Sequence, residues 1–402
     1  MNFIFISPHF PKTYYQFTKA LKEEGFNSLG IGDMDYNSLS YELKTSLTEY
    51  YKVNNMNNYQ EMFKAVAYFT YKYGHIDYIE SNNEYWLEQD ARLREDFNIN
   101  TGKKGKAIAS FKSKELEKKY YKKAGVKTAR YVIPTTISKA KKFIALVGYP
   151  VIVKPDNGVG ASKTYSLKND DELKSFFKTK PQVKYIMEEF VEGDLISFDG
   201  ISNSKAYPVF YSNEVFPNQI MNVVNEKSDV YYYSNKECPS DLLDAGEKVL
   251  KAFNAKYRYF HLEFFRLRED KEGLGKKGDL IGLEVNMRCP GGYTPDIINY
   301  SKSANTYKIY AQVMKMDKTT EDLNKEKFYA IYIGRRYGID YKHDISSIYS
   351  EYKNNIVMHD IMPPILSDAM GNESIVAKFS SLEDATKFKD YAMLRNWLIW
   401  YN

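Results

Sequence analysis

Two strand-like runs carry residue types that handle phosphate and divalent metal. One is Leu280-Ile-Gly-Leu-Glu-Val-Asn-Met-Arg288. In an extended chain alternate side chains share a face, so Glu284, Asn286 and Arg288 point one way and Leu283, Val285 and Met287 the other. A carboxylate, an amide oxygen and a guanidinium on one face suit a Mg²⁺–phosphate site, because Mg²⁺ takes hard oxygen ligands and arginine holds an anion in fixed geometry. The other run is Phe260-His-Leu-Glu-Phe-Phe265, where Glu263 shares a face with His261 and Phe265 in an otherwise apolar strand. Between them Glu269–Gly278 holds three glycines and six charges and reads as a hairpin loop. Hairpin pairing brings Glu263 near Glu284, and two adjacent carboxylates repel unless they share a cation.

A basic counterpart lies upstream, in Tyr149-Pro-Val-Ile-Val-Lys-Pro-Asp-Asn-Gly-Val-Gly-Ala-Ser-Lys163. A β-branched strand ends in Lys154. The loop after it, with Gly158 and Gly160, can aim backbone N–H groups at phosphate oxygens while the lysine supplies positive charge. It is not a Walker A loop, which would need glycines at Asn157 and Ser162. A nucleotidyl-ligase-like K-x-D-G would need glycine at Asn157, and a dinucleotide fingerprint a third glycine at Lys163. A fourth segment, Tyr185-Ile-Met-Glu-Glu-Phe-Val-Glu-Gly193, is an apolar strand that turns at Gly193. The extended backbone of Glu189, Phe190 and Val191 can hydrogen-bond an adenine edge.

The elements that must position these residues follow from periodicity. Phe3–Ser7, Asn27–Gly32 and Ile76–Glu80 read as strands, alternating with helices over Tyr14–Glu24 and Gln60–Tyr73. Strands alternating with helices imply a parallel, helix-covered sheet. Gly102–Gly105 breaks the pattern as a linker. Ser113–Ala124 is a helix with Ser113 as N-cap and Gly125 as its stop. Ala129–Pro134 and Pro150–Pro155 are strand-like, with a helix over Ser138–Val147 between them. Lys184–Phe190, Leu195–Ile201 and Ala206–Ser212 read as strands of a mostly antiparallel sheet. Helices are expected over Asp241–Phe253, Tyr300–Met314 and Leu382–Leu394, and strands over Tyr259–Arg268, Leu280–Asn286, Tyr329–Ile333 and Ile375–Phe379.

Composition narrows the function classes. At about 150 residues per domain, 402 residues predict two to three domains. A hydrophobic content of 43% with 27% charged residues excludes wholesale disorder. Lys+Arg 57 against Asp+Glu 52 leaves +5, too little for a nucleic-acid protein of this length. The lysine-rich stretch Lys103–Lys123 reads as a solvated helix face. Cys238 and Cys289 could form at most one bridge, so a reducing cytoplasm is expected. The five histidines form no HExxH motif and no CxxC pair is present, so zinc is not expected. No apolar run approaches 18 residues, so no membrane partner is expected. Met1–Phe10 lacks a basic stretch and a long apolar core, and so reads as a buried strand rather than a secretory leader. The 37 tyrosines are spread along the chain and read as composition bias.

In this order and spacing the four segments resemble the ATP-grasp superfamily, most closely its carboxylate–amine ligase and biotin-carboxylase-like branches. The resemblance runs from about Lys106 to Asn305. It implies a mixed α/β and α+β architecture: an N-terminal doubly wound parallel-sheet domain over residues 1–105, an ATP-grasp domain over 106–310 with a lid at about 128–184, and a C-terminal α+β segment over 311–402 completing it. It implies ATP and Mg²⁺, two ions, with Mn²⁺ as a substitute. By resemblance Lys114 (Lys112 competing) and Lys154 bind phosphate. Asn157–Lys163, with Gly158, Gly160, Ser162 and Lys163, closes over it. The run Glu188, Glu189, Phe190, Val191 and Glu192 receives adenine. Glu263, Glu284 and Asn286 are the implied metal ligands, and Arg288, with Lys154, serves catalysis on an acyl-phosphate or carboxylate. Leu195 stands where many relatives carry a ribose-binding glutamate, leaving Glu192 or Asp194 for that contact. The implied reaction activates a small-molecule carboxylate and joins it to an amine. The alternatives are a carboxyphosphate-forming or thiol-ligase enzyme and a non-catalytic ATP-binding module. A homodimer is expected by resemblance alone.

Overall fold

The computed structural model describes residues 1–158, 163–217 and 229–396. The N-terminal strands β1 (Asn2–Ile6), β2 (Asn27–Gly32), β3 (Glu49–Lys52) and β4 (Tyr78–Glu80) form a parallel sheet in the order β3-β2-β1-β4. Every residue of β1 is buried, as a strand covered on both faces requires. Helices α1 (Tyr15–Glu23), α2 (Tyr41–Ser46), α3 (Tyr59–Tyr73) and α4 (Leu87–Asp96) accompany it. Tyrosine serves the core here: Phe3, Phe5 and Phe17 pack with Tyr259, Tyr307 and Tyr310 in one cluster that ties this sheet to the next unit.

Ser113 caps α5 (Lys114–Lys123) by accepting from the Leu116 N–H. The expected solvated face is corrected at this helix: Lys114, Glu117 and Lys118 are buried. Their i, i+3, i+4 spacing puts all three on one side, and that side faces the site rather than water.

A four-stranded antiparallel sheet follows, in the stretch where the lid was expected, in the order β6-β9-β7-β8. Its strands are β6 (Tyr131–Val132), β7 (Val151–Pro155), β8 (Tyr165–Leu167) and β9 (Tyr185–Glu189). The expected strand Ala129–Pro134 shrinks to the two residues of β6. Helices α6 (Ile137–Val147) and α7 (Asp170–Thr179) cover one lid face, where Phe143, Val151, Val153, Phe176 and Met187 form a separate small core.

The third sheet has nine strands, in the order β16-β17-β15-β12-β11-β10-β13-β14-β5. They are β5 (Lys127–Thr128), β10 (Gly193–Ser202), β11 (Pro208–Phe216), β12 (Val230–Ser234), β13 (Arg258–Leu267), β14 (Leu280–Asn286), β15 (Tyr329–Arg335), β16 (Ile356–Ile361) and β17 (Glu373–Phe379). The last three therefore extend the same sheet that carries Glu263 and Glu284. Helix α8 (Ser240–Phe253) covers the apolar face, packing Leu242, Val249 and Phe253 on Phe198, Phe260, Leu262 and Phe264. Gly246 makes that approach possible: a Cβ there would lie 2.3 Å from a Phe198 ring carbon. The helix expected over Tyr300–Met314 is instead two, α9 (Thr294–Lys302) and α10 (Thr306–Met316). Ser303 turns left-handed at φ 49°, and Asn305 starts α10 by accepting from the Lys308 N–H.

Candidate active site

The lid and the nine-stranded sheet enclose a cavity of about 330 Å³. One end is apolar, walled by Ile152, Val191, Leu195, Phe265 and Ile281. The other end gathers Lys114, Lys154, Glu188, Glu263, Glu284, Asn286 and Arg288, with Glu84 from the N-terminal unit. Residues from three separate parts of the chain thus meet in one place.

On β13 and β14 the expected hairpin forms, and Glu263 stands directly opposite Glu284 while His261 stands opposite Asn286. The pairing shifts register between Glu263 and Phe264, so β14 carries an extra residue there. That bulge corrects the strict alternation read from the sequence: Leu283 lines the cavity along with Glu284 and Asn286. Arg288 donates to Glu84 and to the Asn286 amide oxygen, both at 3.2 Å, and to the Cys289 carbonyl at 2.9 Å.

The basic wall comes from α5 and β7. Lys114 lies 2.9 Å from a Glu284 oxygen. Burial works against both charges, but each is held ionised by the other: the Lys114 ammonium is pushed up and the Glu284 carboxyl pulled down. The competing Lys112 donates to the Glu84 carbonyl. Lys154 lies 2.7 Å from Glu188, and Lys118 lies 2.6 Å from that carboxylate's other oxygen. Burial would raise the Glu188 carboxyl, yet the two lysines bring it to about 2. Lys114 and Lys154 are thus each held by a carboxylate at the cavity wall.

Asp156, just past Lys154, joins the lid to α5. Its carboxylate accepts from the Ser113 hydroxyl at 2.9 Å, the Glu115 N–H at 2.8 Å and the Lys184 ammonium at 3.0 Å. Its carbonyl accepts from the Lys114 N–H.

The remaining expectations divide. Gly158 and the backbone run Glu189, Phe190 and Val191 line the cavity. The Glu189 side chain is bound to Arg130 at 2.6 Å, and the Lys271 ammonium donates to the Phe190 carbonyl. Gly160 and Ser162 lie outside the described residues. The exposed Lys163 is not among the described residues lining the cavity. Glu192 lines a separate, smaller cavity with Tyr149, Phe190, Asp270 and Lys271. Asp194, the other acid considered for ribose, pairs with Arg268 at 2.7 Å.

Glu84, Glu117, Lys118, Asp156 and the role of His261 were not found from the sequence. The Lys114–Glu117–Lys118 spacing next to a capping serine was a usable signal for two of them. His261 lies 2.5 Å from Asp199 through Nδ1 and 3.0 Å from Glu263 through Nε2. Burial would lower its pKa, but Asp199 and Glu263 raise it to about 10.

Two carboxylates in register, with an amide oxygen two residues along, match the hard-oxygen set that Mg²⁺ accepts when substrate phosphates complete its shell. No cluster of three His, Cys, Asp or Glu side chains placed to hold a metal occurs among the described residues. The fit is thus to a cation held jointly with a polyphosphate. Both cysteines are free, and no described helix is long and apolar enough to cross a membrane.

Comparison with known proteins supplies the frame. The ATP-grasp domain family matches residues 116–255. A D-alanine–D-alanine ligase B of Clostridium perfringens is 29% identical over 126 residues, 31% of this chain and 37% of that protein. A carbamoyl phosphate synthase large chain of Sulfolobus acidocaldarius is 24% identical over 109 residues, 26% of this chain and 10% of that protein. The matched stretches thus span well under half the length of these curated relatives. Solved structures align over nearly everything. An L-amino acid ligase from Bacillus licheniformis superimposes with TM-score 0.70 at 16% identity, covering 98% of each chain. An N5-carboxyaminoimidazole synthetase from Staphylococcus aureus, solved with ADP, gives TM-score 0.66 at 15% identity, covering 96% of this chain and 95% of that one. The cavity, its facing sheets and these likenesses agree: this chain carries an ATP-grasp domain and has the ATP-grasp fold.

Proposed function

We propose that the protein is an ATP-dependent carboxylate–amine ligase. The observation that carries this reading is the convergence of Lys114, Lys154, Glu263, Glu284, Asn286 and Arg288 on one cavity with an apolar end. ATP lies with its adenine in that end, against the Glu189–Val191 backbone, and its phosphates at Lys114 and Lys154. Glu263, Glu284 and Asn286 would hold Mg²⁺, which neutralises phosphate oxygens when bound. Lys154 and Lys114 stabilise charge on the transferring phosphoryl group, and positioning supplies most of the rate. Arg288 holds the substrate carboxylate as it attacks the γ-phosphorus, giving an acyl-phosphate and ADP. An amine then displaces phosphate to form the amide. Lid closure excludes water from the acyl-phosphate. The named activities of a solved neighbour, an L-amino acid ligase, and of a curated relative, a D-alanine–D-alanine ligase, support the reaction class. The carboxylate and the amine are small molecules.

The test is ADP release with Mg²⁺-ATP against pooled amino acids, other carboxylic acids and bicarbonate, each with and without ammonia or pooled amines. Release requiring both a carboxylic acid and an amine is expected. Release with bicarbonate alone moves the enzyme to carboxyphosphate chemistry. Silence in every pool with ATP still bound replaces the ligase by a nucleotide-binding module.

A further inference from the structure

The polar residues of the site do not stop at the cavity wall. On the cavity face of the nine-stranded sheet two rows of polar side chains run from β14 across β13 and β10 to β11. One row is Glu284, Glu263, Ser197, Glu214 and, on β12, Ser234; the other is Asn286, His261, Asp199 and Ser212. Asp199, Glu214, Ser197 and Ser212 are completely buried. Their hydrogen bonds form a chain. Ser212 donates to Glu214 at 2.7 Å, Ser197 donates to Asp199, and Asp199 holds His261, which reaches Glu263.

Such a chain needs a reason other than stability. Well-packed apolar residues in place of buried ion pairs are often neutral or stabilising. The same strands show the apolar solution on their other face, where Phe198, Phe260, Leu262 and Phe264 pack under α8. His261 sits between two carboxylates, with Nδ1 at Asp199 and Nε2 at Glu263. The contact to Glu263 uses Oε1. Carboxylates that ligate a metal are themselves hydrogen-bonded by outer groups that fix their orientation.

We propose that His261, anchored by Asp199, is a positioning residue for Glu263: it holds one carboxylate oxygen so that the other is presented to the cation-binding side of the cavity. This rests on the metal role proposed above for Glu263. Asp199 sets the ring plane, and Glu214 with the two serines keeps Asp199 in place.

The test uses Mn²⁺ as the probe, titrated into the full chain with saturating ADP so that no turnover is involved, and followed by electron paramagnetic resonance. The wild-type chain binds Mn²⁺ in an ADP-dependent way. His261→Asn retains a donor for Asp199 but not for Glu263, and weakens Mn²⁺ by roughly 10–100-fold. ADP affinity measured without metal stays unchanged. His261→Gln places its amide nearer the Nε2 position and recovers most of the Mn²⁺ affinity. Mn²⁺ affinity in His261→Asn equal to wild type overturns the proposal. If His261→Asn does not fold, Asp199→Asn, which leaves Glu263 and its histidine chemically intact, is expected to lower Mn²⁺ affinity at constant ADP affinity; no change there overturns it equally. A wild-type chain that binds ADP but no Mn²⁺ overturns instead the metal reading of Glu263 itself, and the inference with it.

Discussion

The two walls of the cavity are built on opposite principles. The lid wall is a sheet of strands two to five residues long over a small private core, fastened to the body through Asp156 and α5. Its charged side chains at the cavity are Lys154, Glu188 and Glu189. The facing wall lies on strands of seven to ten residues in a nine-stranded sheet, with its carboxylates held from behind by a buried hydrogen-bonded chain. Lys154 thus sits on the smaller, separately packed element beside its own partner Glu188, Lys114 on α5, and Glu263 and Glu284 on the large sheet. The difference teaches how a cavity can be lined with charge: each buried ion has a partner on its own or the adjoining element. On the larger wall the register of β13 and β14 sets Glu263 opposite Glu284, while the smaller sheet carries Lys154 with its partner Glu188 on the neighbouring strand. Lys114 crosses between the walls, and its bond to Glu284 keeps the anion pair balanced.

The sharpest way to break this comparison is to remove an anion from the larger wall. Glu284→Gln should lower ADP release in the active substrate pool by at least ~100-fold, the loss expected when a group that stabilises transition-state charge is removed. The circular dichroism spectrum should remain that of the folded chain. Activity retained with normal Mg²⁺ dependence would remove Glu284 from the metal site. A smaller effect is expected on the lid wall. Lys154→Met should weaken ATP by about 10–100-fold, the worth of one charged hydrogen bond, as measured by calorimetry. Unchanged affinity would take Lys154 out of the phosphate contact.

The join between the walls is the next target. Asp156→Ala removes acceptors for Ser113, the Glu115 N–H and Lys184. The cost should be about 1–2 kcal/mol, typical of a lost helix cap. It should appear as a lower denaturant midpoint and faster amide exchange in β7 and β9, with the N-terminal sheet unaffected. Uniform exchange changes across the chain would show that Asp156 does not separate lid from body.

A further effect concerns pH. The folded Glu188 carboxyl is held at about 2 against an ordinary 4.5. A carboxyl depressed in the folded state stabilises fully above its unfolded pKa and loses that contribution as pH falls toward the folded one. Stability of the wild type should therefore fall between pH 4.5 and 2, and Glu188→Gln should show a shallower fall over that window. Equal slopes would mean that the two lysines do not hold Glu188 as the distances imply.

How much of this was legible varies by region for a physical reason. The hairpin bearing Glu263 and Glu284 was readable, because period-two patterning and a glycine-rich turn are local signals and pairing follows from them. The bulge at Leu283 was not, since one extra residue leaves no pattern in a single strand. Ser113 was found as a cap from its type and place. Asp156, which completes that cap, is 43 residues distant from Ser113 in the chain and invisible to any local rule. The solvated face expected of Lys103–Lys123 holds for the exposed Lys119, Lys122 and Lys123 but not for the buried Lys114 and Lys118, because composition does not say which face of a helix meets water.

The sequence by itself determined the parallel N-terminal unit, most strands and helices, and the residue types of the site, since each depends on neighbours within a turn or a strand. Only the tertiary structure decided that Glu84, Lys118 and the His261–Asp199–Glu214 chain belong with them. Those contacts join residues up to 204 positions apart. Whether a buried charge is paired depends on which distant strand the fold lays beside it.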